Sequence, residues 1–421
     1  MARILLINAN TYRTPPVIPV GLEYVGSSLS QAGHDVTVLD LCFADDCETA
    51  VQNATDDLKP DLIGITIRNI DSALYNNNVF FIPEIKNIVQ FAKRSGAPVV
   101  LGGAGFSATP EIILDETGAD YGVKGPGEKA ARFIADAIDR NETPDNKIIN
   151  GWHLGIVPHF VPERPFGIDY EKYLSNRGLA GFATQYGCCE ACPYCIEAGT
   201  TVIHRNPDAV IREIASLVET GVSDFHLCDS EYNLDLDFSE LFASRLANSL
   251  LNIKWSLYIK PSPWSNKMFD ALKLSGATTI TMSVDSHILS GSNQSYNFDD
   301  IKNIIRKCRD LEIKLAIDLI TGSPNESELS TANTIDFFKE YRPDAVGVNS
   351  FFRVYPGTEF EKEVKGANLS LIDGDNKSGH SRIAPVFYNK VSTDMLHEMI
   401  GGDTLFKIEG FERTSNYERL K

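Results

Sequence analysis

Residues 181–195 read Gly-Phe-Ala-Thr-Gln-Tyr-Gly-Cys-Cys-Glu-Ala-Cys-Pro-Tyr-Cys, a short apolar run followed at once by clustered cysteines. The run predicts a buried β-strand, and the glycine after it predicts a turn. Cys188, Cys192 and Cys195 have the spacing C-x3-C-x2-C, and Cys189 is an extra thiol. In a reducing compartment such a cluster is typical of metal binding or redox chemistry and not of a disulfide framework.

Three thiolates at this spacing can each bind one iron of a [4Fe–4S] cluster and leave the fourth iron open for another ligand. A structural zinc site needs a fourth Cys or His, usually in a second pair downstream. The sequence after Cys195 contains no such pair. We therefore favour an iron–sulfur cluster over a zinc site or an oxidation-prone loop.

Downstream of Leu179, apolar β-rich runs alternate with amphipathic helical patterns. These units are too few for a closed eight-stranded barrel and predict a partial (β/α)6 barrel over residues 179–360. The cysteines then follow the first barrel strand, at the end where barrels assemble their chemistry. We expect the weakly patterned residues 361–421 to cover the barrel mouth. The predicted strands are Gly181–Tyr186, Ser223–Cys228, Ile253–Ile259, Thr278–Val284, Lys314–Leu319 and Ala345–Ser350.

Residues 1–140 show the same alternation and predict an α/β domain with a flavodoxin-like, doubly wound parallel sheet. The nicotinamide fingerprint G-x-G-x-x-G is missing after the first strand. Glycine-rich turns at 101–107 and 123–128 follow two later strands and suit the close approach of a bulky polar ligand. In residues 141–178 the periodicity fails, which predicts a linker. The predicted strands are Arg3–Asn8, Asp35–Leu39, Asp61–Ile67, Pro98–Leu101 and Asp120–Val123.

C-x3-C-x2-C with an aromatic residue before its last Cys, placed after the first strand of a partial barrel, resembles the radical S-adenosylmethionine (SAM) superfamily. The resemblance implies that Cys188, Cys192 and Cys195 hold a [4Fe–4S] cluster whose open iron chelates SAM. An electron from the cluster then cleaves SAM to a 5′-deoxyadenosyl radical.

The same resemblance implies which residues contact SAM. Tyr194 lies within the cysteine motif, and Ser230 and Glu231 follow the second barrel strand, where the family holds the amino end of SAM. Asp285 follows the fourth strand, where a carboxylate accepts hydrogen bonds from the ribose hydroxyls. An N-cap of the next helix is the alternative for Asp285.

Joined to such a barrel, the turns from Gly102 to Pro110 and from Gly125 to Glu128 resemble the cobalamin-binding domain of B12-dependent radical SAM enzymes. The D-x-H-x-x-G motif is absent, so the resemblance implies cobalamin bound without a protein histidine. The alternative is a vestigial domain that has lost its cofactor. The implied cobalamin-binding residues are Arg68, Gly102, Gly103, Ser107, Gly125, Gly127 and Glu128.

Arg68 stands at the carboxyl end of a predicted strand, where the lower face of the corrin is expected. A guanidinium is always charged and disfavours donation to cobalt, so we hypothesise that Arg68 keeps the metal poorly ligated from below. The alternative is a surface ion pair with Asp71.

The resemblance implies a C-methyltransferase that moves methyl from SAM through methylcobalamin to a carbon centre of a small molecule or a protein residue. Radical chemistry without methylation (cyclisation, ring contraction or dehydrogenation) is one alternative, and a non-catalytic sensor of SAM or corrinoid is another. The expected electron donor is external, of the flavodoxin or ferredoxin type. We expect the substrate to be selected by Tyr296, Phe351, Arg353, Tyr388 and the C-terminal tail. We expect Cys228, which ends a strand, to be a core thiol, and a position facing the active site is the alternative.

The composition limits the partners. The 421 residues include 39 Lys plus Arg against 57 Asp plus Glu, a net charge of −18. Such a surface repels phosphate backbones and argues against a nucleic-acid substrate, tRNA methylthiolation included. There is no apolar run long enough to span a membrane and no signal-peptide pattern. These features predict a cytoplasmic protein without a membrane partner.

Overall fold

The computed structural model describes residues 1–291, 294–367, 370–371 and 381–409. An N-terminal α/β domain precedes a partial βα barrel, and the segment after the barrel contacts both. This is the predicted fold class. No helix in the described part of the chain combines the length and the apolarity that crossing a bilayer requires.

The N-terminal domain is a parallel sheet with the strand order β2-β1-β3-β4-β5-β6, covered by helices. Its elements are β1 (Arg3–Asn8), α1 (Val20–Gln31), β2 (Asp35–Asp40), α2 (Cys47–Leu58), β3 (Leu62–Thr66), α3 (Ile82–Lys93), β4 (Val99–Gly102), α4 (Ala104–Ala108), α5 (Pro110–Thr117), β5 (Tyr121–Lys124), α6 (Glu128–Asp139), β6 (Ile148–Asn150) and α7 (Gly151–Leu154).

Strand β1 shows why helices cover both faces of this sheet. Its side chains alternate, so Leu5 and Ile7 enter one apolar cluster while Ile4 and Leu6 enter another. All four are buried. A strand that is apolar on both sides stays soluble only when both faces are packed, which a doubly wound arrangement provides.

The segment predicted as a linker contributes structure to both neighbouring domains. Strand β6 extends the N-terminal sheet by pairing with β5, with Gly122 opposite Ile148. Helix α8 (Tyr170–Ser175) begins with the Asp169 side chain accepting a bond from the Lys172 backbone. A strand of three residues is too short to show a periodicity, which explains why the sequence pattern did not reveal it.

The barrel sheet is parallel with the order β7-β10-β11-β12-β13-β14-β18. Strands β8 and β9 form a separate antiparallel hairpin after β7. The elements are β7 (Ala180–Phe182), β8 (Gln185–Tyr186), β9 (Ile203–His204), α9 (Pro207–Glu219), β10 (Asp224–Leu227), α10 (Leu236–Asn248), β11 (Lys254–Ile259), α11 (Asn266–Leu274), β12 (Ala277–Asp285), α12 (Ser286–Ser290), α13 (Phe298–Asp310), β13 (Lys314–Ile320), α14 (Glu328–Tyr341) and β14 (Ala345–Asn349).

The C-terminal segment adds strand β18 to the barrel edge, where Val346 of β14 lies opposite Phe406. It also forms a small antiparallel sheet with the order β15-β17-β16. The sequence analysis did not predict this additional barrel strand, which is only three residues long. The parts of the predicted extension between Leu371 and Ser381 and after Glu409 lie outside the described residues. The elements are β15 (Phe351–Arg353), α15 (Glu359–Glu363), β16 (Ser370–Leu371), β17 (Val386–Asn389), α16 (Thr393–Ile400) and β18 (Phe406–Ile408).

A buried ionic network joins the two domains. Arg164 contacts Glu23 of α1 at 2.9 Å and Glu213 of α9 at 2.6 Å, and all three side chains are 0% exposed. Arg205 also contacts Glu213, at 2.8 Å. Separating the domains would leave these buried charges without partners. The network therefore holds the N-terminal sheet and the barrel in one relative orientation.

Candidate active site

A cavity of about 380 Å³ runs from the core of the N-terminal domain to the barrel. Protein interiors are close-packed, so a void of this size indicates a place for a ligand. On the barrel side it is lined by Gln185, Tyr186, Cys228, Asp229 and Ser230. The predicted cobalamin-binding residues on its wall are Gly102, Gly103, Ser107, Gly125, Gly127 and Glu128.

Ser107 connects the two glycine-rich turns. Its hydroxyl donates to the Gly103 carbonyl at 3.0 Å and accepts from the Gly125 backbone N–H at 3.0 Å. Gly103 has φ +99°, and a Cβ there would lie 2.4 Å from the Ile67 carbonyl oxygen. A Cβ at Gly125 would lie 2.4 Å from the Trp152 ring nitrogen. The packing of the protein itself therefore requires glycine at both positions.

A hydrogen bond crosses the cavity from one domain to the other. The Tyr186 hydroxyl, at the end of β8, donates to the Glu128 carboxylate at the start of α6. Both residues line the cavity. Glu128, a predicted cobalamin-binding residue, is thus hydrogen-bonded to the strand that precedes the cysteine motif.

The cysteine motif lies in the loop between β8 and β9. Gly187 opens this loop with φ +85°, and a Cβ there would lie 2.3 Å from the Thr201 carbonyl oxygen. The Cys188 N–H donates to the Thr200 hydroxyl at 2.8 Å, and the Thr200 N–H donates to the Cys188 carbonyl at 2.9 Å. These bonds join the two ends of the loop that carries the cysteine motif.

The thiols of Cys188, Cys192 and Cys195 lie near one another. Burial raises the pKa of Cys188 to about 12, and the neighbouring Cys195 and Cys192 raise it as well. Cys189, the extra thiol, is exposed. Among the described residues no three Cys, His, Asp or Glu side chains converge as closely as the ligands of a single metal ion. Three neighbouring thiols can each bind a different iron of a [4Fe–4S] cluster, so their chemistry fits that group.

Asp285 faces the cysteine motif. Its carboxylate accepts a hydrogen bond from the Tyr194 hydroxyl at 2.7 Å and lies 3.7 Å from the Lys260 ammonium. Asp285 occupies the N-cap position of α12, as the alternative predicts, but its side chain accepts no capping bond from the described backbone. The structure thus brings two predicted SAM-binding residues, Tyr194 and Asp285, into contact.

Lys260 is a site residue that the sequence analysis missed. It directly follows β11, is buried, and places Nζ 3.7 Å from the Cys192 sulfur. Burial alone lowers the pKa of Lys260, but Asp285 and Cys192 outweigh burial and raise the pKa above its ordinary value. The signal in the sequence was a lysine at the carboxyl end of an apolar strand, which is too common a feature to single out.

Glu231 and Ser230 follow β10. Burial raises the pKa of Glu231 to about 7, although Lys260 opposes the shift. Its Oε2 atom is buried and has no hydrogen-bond partner among the described residues. The Ser230 hydroxyl donates to Glu197 at 2.6 Å. A buried carboxylate oxygen without a donor suits an ammonium group, so Glu231 fits the amino end of SAM.

Arg68 is exposed and follows β3. Burial lowers the pKa of His226 in the barrel strand β10 to about 4, and the charge of Arg68 lowers it as well. The carboxylate of Asp71, the alternative partner, forms a buried ion pair with Arg353 at 2.8 Å.

The residues predicted to select the substrate have contacts within the protein. Arg353 bonds Asp71, and the Phe351 ring stacks on Tyr75 at 3.9 Å. The Tyr296 hydroxyl accepts from the Asp285 N–H at 2.7 Å. Tyr388 is placed in β17, 5.7 Å from the Phe360 ring. Cys228, predicted as a core thiol, is exposed and lines the cavity.

Comparison with known proteins gives a separate family match for each of the two domains. Residues 9–135 match the B12 binding domain, and residues 182–338 match the radical SAM superfamily. The chain is 24% identical to a tryptophan 2-C-methyltransferase of Streptomyces laurentii, over 84% of this chain and 73% of that protein.

Solved structures give the same relationship. The radical SAM methyltransferase TsrM of Kitasatospora setae, with cobalamin and a [4Fe–4S] cluster bound, superposes with a TM-score of 0.86 at 25% identity, covering 96% of this chain and 93% of that one. The same enzyme with tryptophan substrate and a SAM analogue gives 0.85 at 24% identity, covering 94% and 87%.

A B12-binding domain joined to a radical SAM barrel defines an enzyme that uses cobalamin, SAM and a [4Fe–4S] cluster. This chain belongs to the cobalamin-dependent radical SAM family, in its methyltransferase branch.

Proposed function

We propose that this methyltransferase transfers a methyl group from SAM, by way of cobalamin, to an aromatic carbon of a small molecule of the tryptophan class. The observation that carries the proposal is the cavity that joins the predicted cobalamin turns to Ser230 on the barrel. It gives one methyl carrier access to both domains. The tryptophan class comes from the relatives, one of which is a tryptophan 2-C-methyltransferase.

The residues assigned to each cofactor are those predicted from the sequence. Cys188, Cys192 and Cys195 hold the cluster. Tyr194, Ser230, Glu231 and Asp285 hold SAM, and Arg68, Gly102, Gly103, Ser107, Gly125, Gly127 and Glu128 hold cobalamin. When bound, the cluster supplies the electron that activates SAM, and cobalamin supplies the methyl group taken from SAM.

The chain itself orients these groups and excludes water. Glu231 offers its unpartnered carboxylate oxygen to the SAM amino group. Asp285, oriented by the Tyr194 hydroxyl at 2.7 Å, accepts from the ribose hydroxyls. Arg68 presents a guanidinium, which has no lone pair to donate, to the lower face of the corrin.

His226 offers a neutral surface for an aromatic acceptor. Burial lowers its pKa to about 4, so the imidazole is unprotonated at neutral pH. Its Nδ1 lies 3.2 Å from the Ser256 hydroxyl, and its ring lies edge-on to Tyr258 at 5.9 Å. A neutral imidazole beside a hydroxyl and an aromatic ring suits an uncharged ring with an N–H group.

The same proposal includes an external electron donor of the flavodoxin or ferredoxin type and a cytoplasmic location. It excludes a nucleic-acid substrate, since the net charge of −18 repels a phosphate backbone.

The test is anaerobic turnover with hydroxocobalamin, a reductant, tryptophan and SAM that carries a trideuterated methyl group. We expect a trideuteromethylated product together with S-adenosylhomocysteine, detected by mass spectrometry. Formation of 5′-deoxyadenosine without a methylated product would instead indicate non-methylating radical chemistry. Absence of SAM consumption by cluster-replete protein would indicate a sensor. Methylation of other indoles but not tryptophan would retain the reaction and change the substrate.

A further inference from the structure

Lys260 lies between the cysteine motif and the predicted SAM pocket. Its ammonium is 3.7 Å from the Cys192 sulfur and 3.7 Å from an Asp285 carboxylate oxygen. Its side chain is 7% exposed and that of Asp285 is 2% exposed. A charged lysine is seldom buried unless it is paired, so this placement indicates a role for the charge.

The backbone around Lys260 is held on both sides by one side chain. The Lys260 N–H donates to Asn233 Oδ1 at 2.9 Å, and Asn233 Nδ2 donates to the Lys260 carbonyl at 2.9 Å. Asn233 is fully buried. These bonds fix the backbone from which the Lys260 side chain extends, and the ammonium itself is held by its contacts with Cys192 and Asp285.

A second connection links the same two sites. The Tyr194 hydroxyl donates to the other oxygen of Asp285 at 2.7 Å, and Tyr194 lies between Cys192 and Cys195 in the chain. The cysteine loop is therefore joined to Asp285 through a ring hydroxyl and through the Lys260 ammonium. A change of charge at Lys260 would act on both the sulfur and the carboxylate.

We propose that Lys260 is a positioning residue whose fixed positive charge raises the reduction potential of the cluster and orients Asp285. Reduction adds one electron, from an external donor, to the cluster and makes it more negative. A nearby cation stabilises that reduced state, and hydrogen bonds to the ligating sulfurs act in the same direction. The inference rests on the cluster and is independent of the methyl acceptor.

The test compares Lys260→Met with Lys260→Arg in the full-length, anaerobically reconstituted protein. The midpoint potential is measured by a dithionite titration followed by electron paramagnetic resonance. We expect Lys260→Met to lower the equilibrium constant for one-electron reduction of the cluster at least tenfold, which corresponds to a midpoint potential lower by about 59 mV. We expect Lys260→Arg to stay closer to the parent. Lys254→Met, at the exposed start of the same strand, is the matched control and should leave the potential unchanged.

Asp285→Asn is the second variant and predicts the opposite sign. It removes a negative charge next to the ammonium, so the reduction potential of the cluster should rise. If Lys260→Met fails to retain iron, the potential of Asp285→Asn tests the inference in its place. A parental potential in iron-replete Lys260→Met, or a potential in Asp285→Asn that is unchanged or lower, overturns the inference. Failure of the proposed function is distinct, because it appears as absent methylation by the parent protein whatever the potentials show.

Discussion

Asp71 and Arg353 lie 282 positions apart in the chain and form a buried ion pair at 2.8 Å. Asp71 belongs to the segment after β3 that also contains Arg68, and Arg353 ends β15. The stack of Tyr75 on Phe351 at 3.9 Å joins the same two segments. The C-terminal antiparallel sheet therefore holds the loop on which the predicted cobalt-facing arginine stands.

Replacing Arg353 with methionine should destabilise the protein by about 3–5 kcal/mol, because it leaves the Asp71 carboxylate buried without its cation. Urea denaturation measures the loss, and gel filtration with hydroxocobalamin measures whether the looser loop binds cofactor less well. Arg382→Met is the matched control, since Arg382 pairs with Asp115 at the exposed surface and should cost less than about 1 kcal/mol. Equal stabilities for the two variants would contradict this assignment.

Arg68→Leu tests the cobalamin side of the site. If the guanidinium faces the corrin, a leucine there should change the absorption and paramagnetic resonance spectra of bound cob(II)alamin and slow methyl transfer. Arg94→Leu, on the far side of the domain at the end of α3, should alter neither. An unchanged spectrum together with an unchanged rate in Arg68→Leu would exclude the proposed role.

The sequence predicts the strands that are long and apolar. The predicted strand Arg3–Asn8 coincides with β1, and the predicted Lys314–Leu319 ends one residue before β13 does. Buried parallel strands are near-continuous apolar runs, which is a strong local signal. Strands β6 and β18 have three residues each and owe their existence to pairing with a neighbour, so nothing local marks them.

In the candidate site, too, local sequence signals reveal some residues, and contacts between distant parts of the chain determine others. The spacing of its cysteines marks the cysteine motif, and the resemblance to the radical SAM superfamily indicates Asp285. Arg164 was not predictable, because its partners Glu23 and Glu213 are 141 and 49 positions away and only the folded domains bring them together. Asp285 stands at the N-cap position of α12, but its carboxylate contacts Tyr194 and Lys260, which approach it from other parts of the barrel.

Cys188 and Cys189 are adjacent and should behave oppositely. Cys188 is buried near the other two motif thiols, whereas Cys189 is exposed. We expect Cys188→Ala to lose most of the iron and sulfide after anaerobic reconstitution, and Cys189→Ala to retain the parental content. Iron and sulfide assays with ultraviolet–visible spectra measure this. Similar iron contents in the two variants would show that the cluster is held differently.

Glu231 should make the stability of the cofactor-free protein depend on pH. Burial raises its folded-state pKa from the ordinary 4.5 to about 7, so the folded protein holds a proton that the unfolded chain releases. That contribution to stability is complete below pH 4.5 and is lost as the pH rises through 7. Between pH 5 and pH 8 the parent should lose on the order of 2–3 kcal/mol from this group. Glu231→Gln should lack this loss, whereas Glu219→Gln, at the exposed end of α9, should keep it. Urea denaturation at the two pH values gives the double difference, and a Glu231→Gln profile parallel to that of the parent would show that the buried carboxyl is ionised throughout.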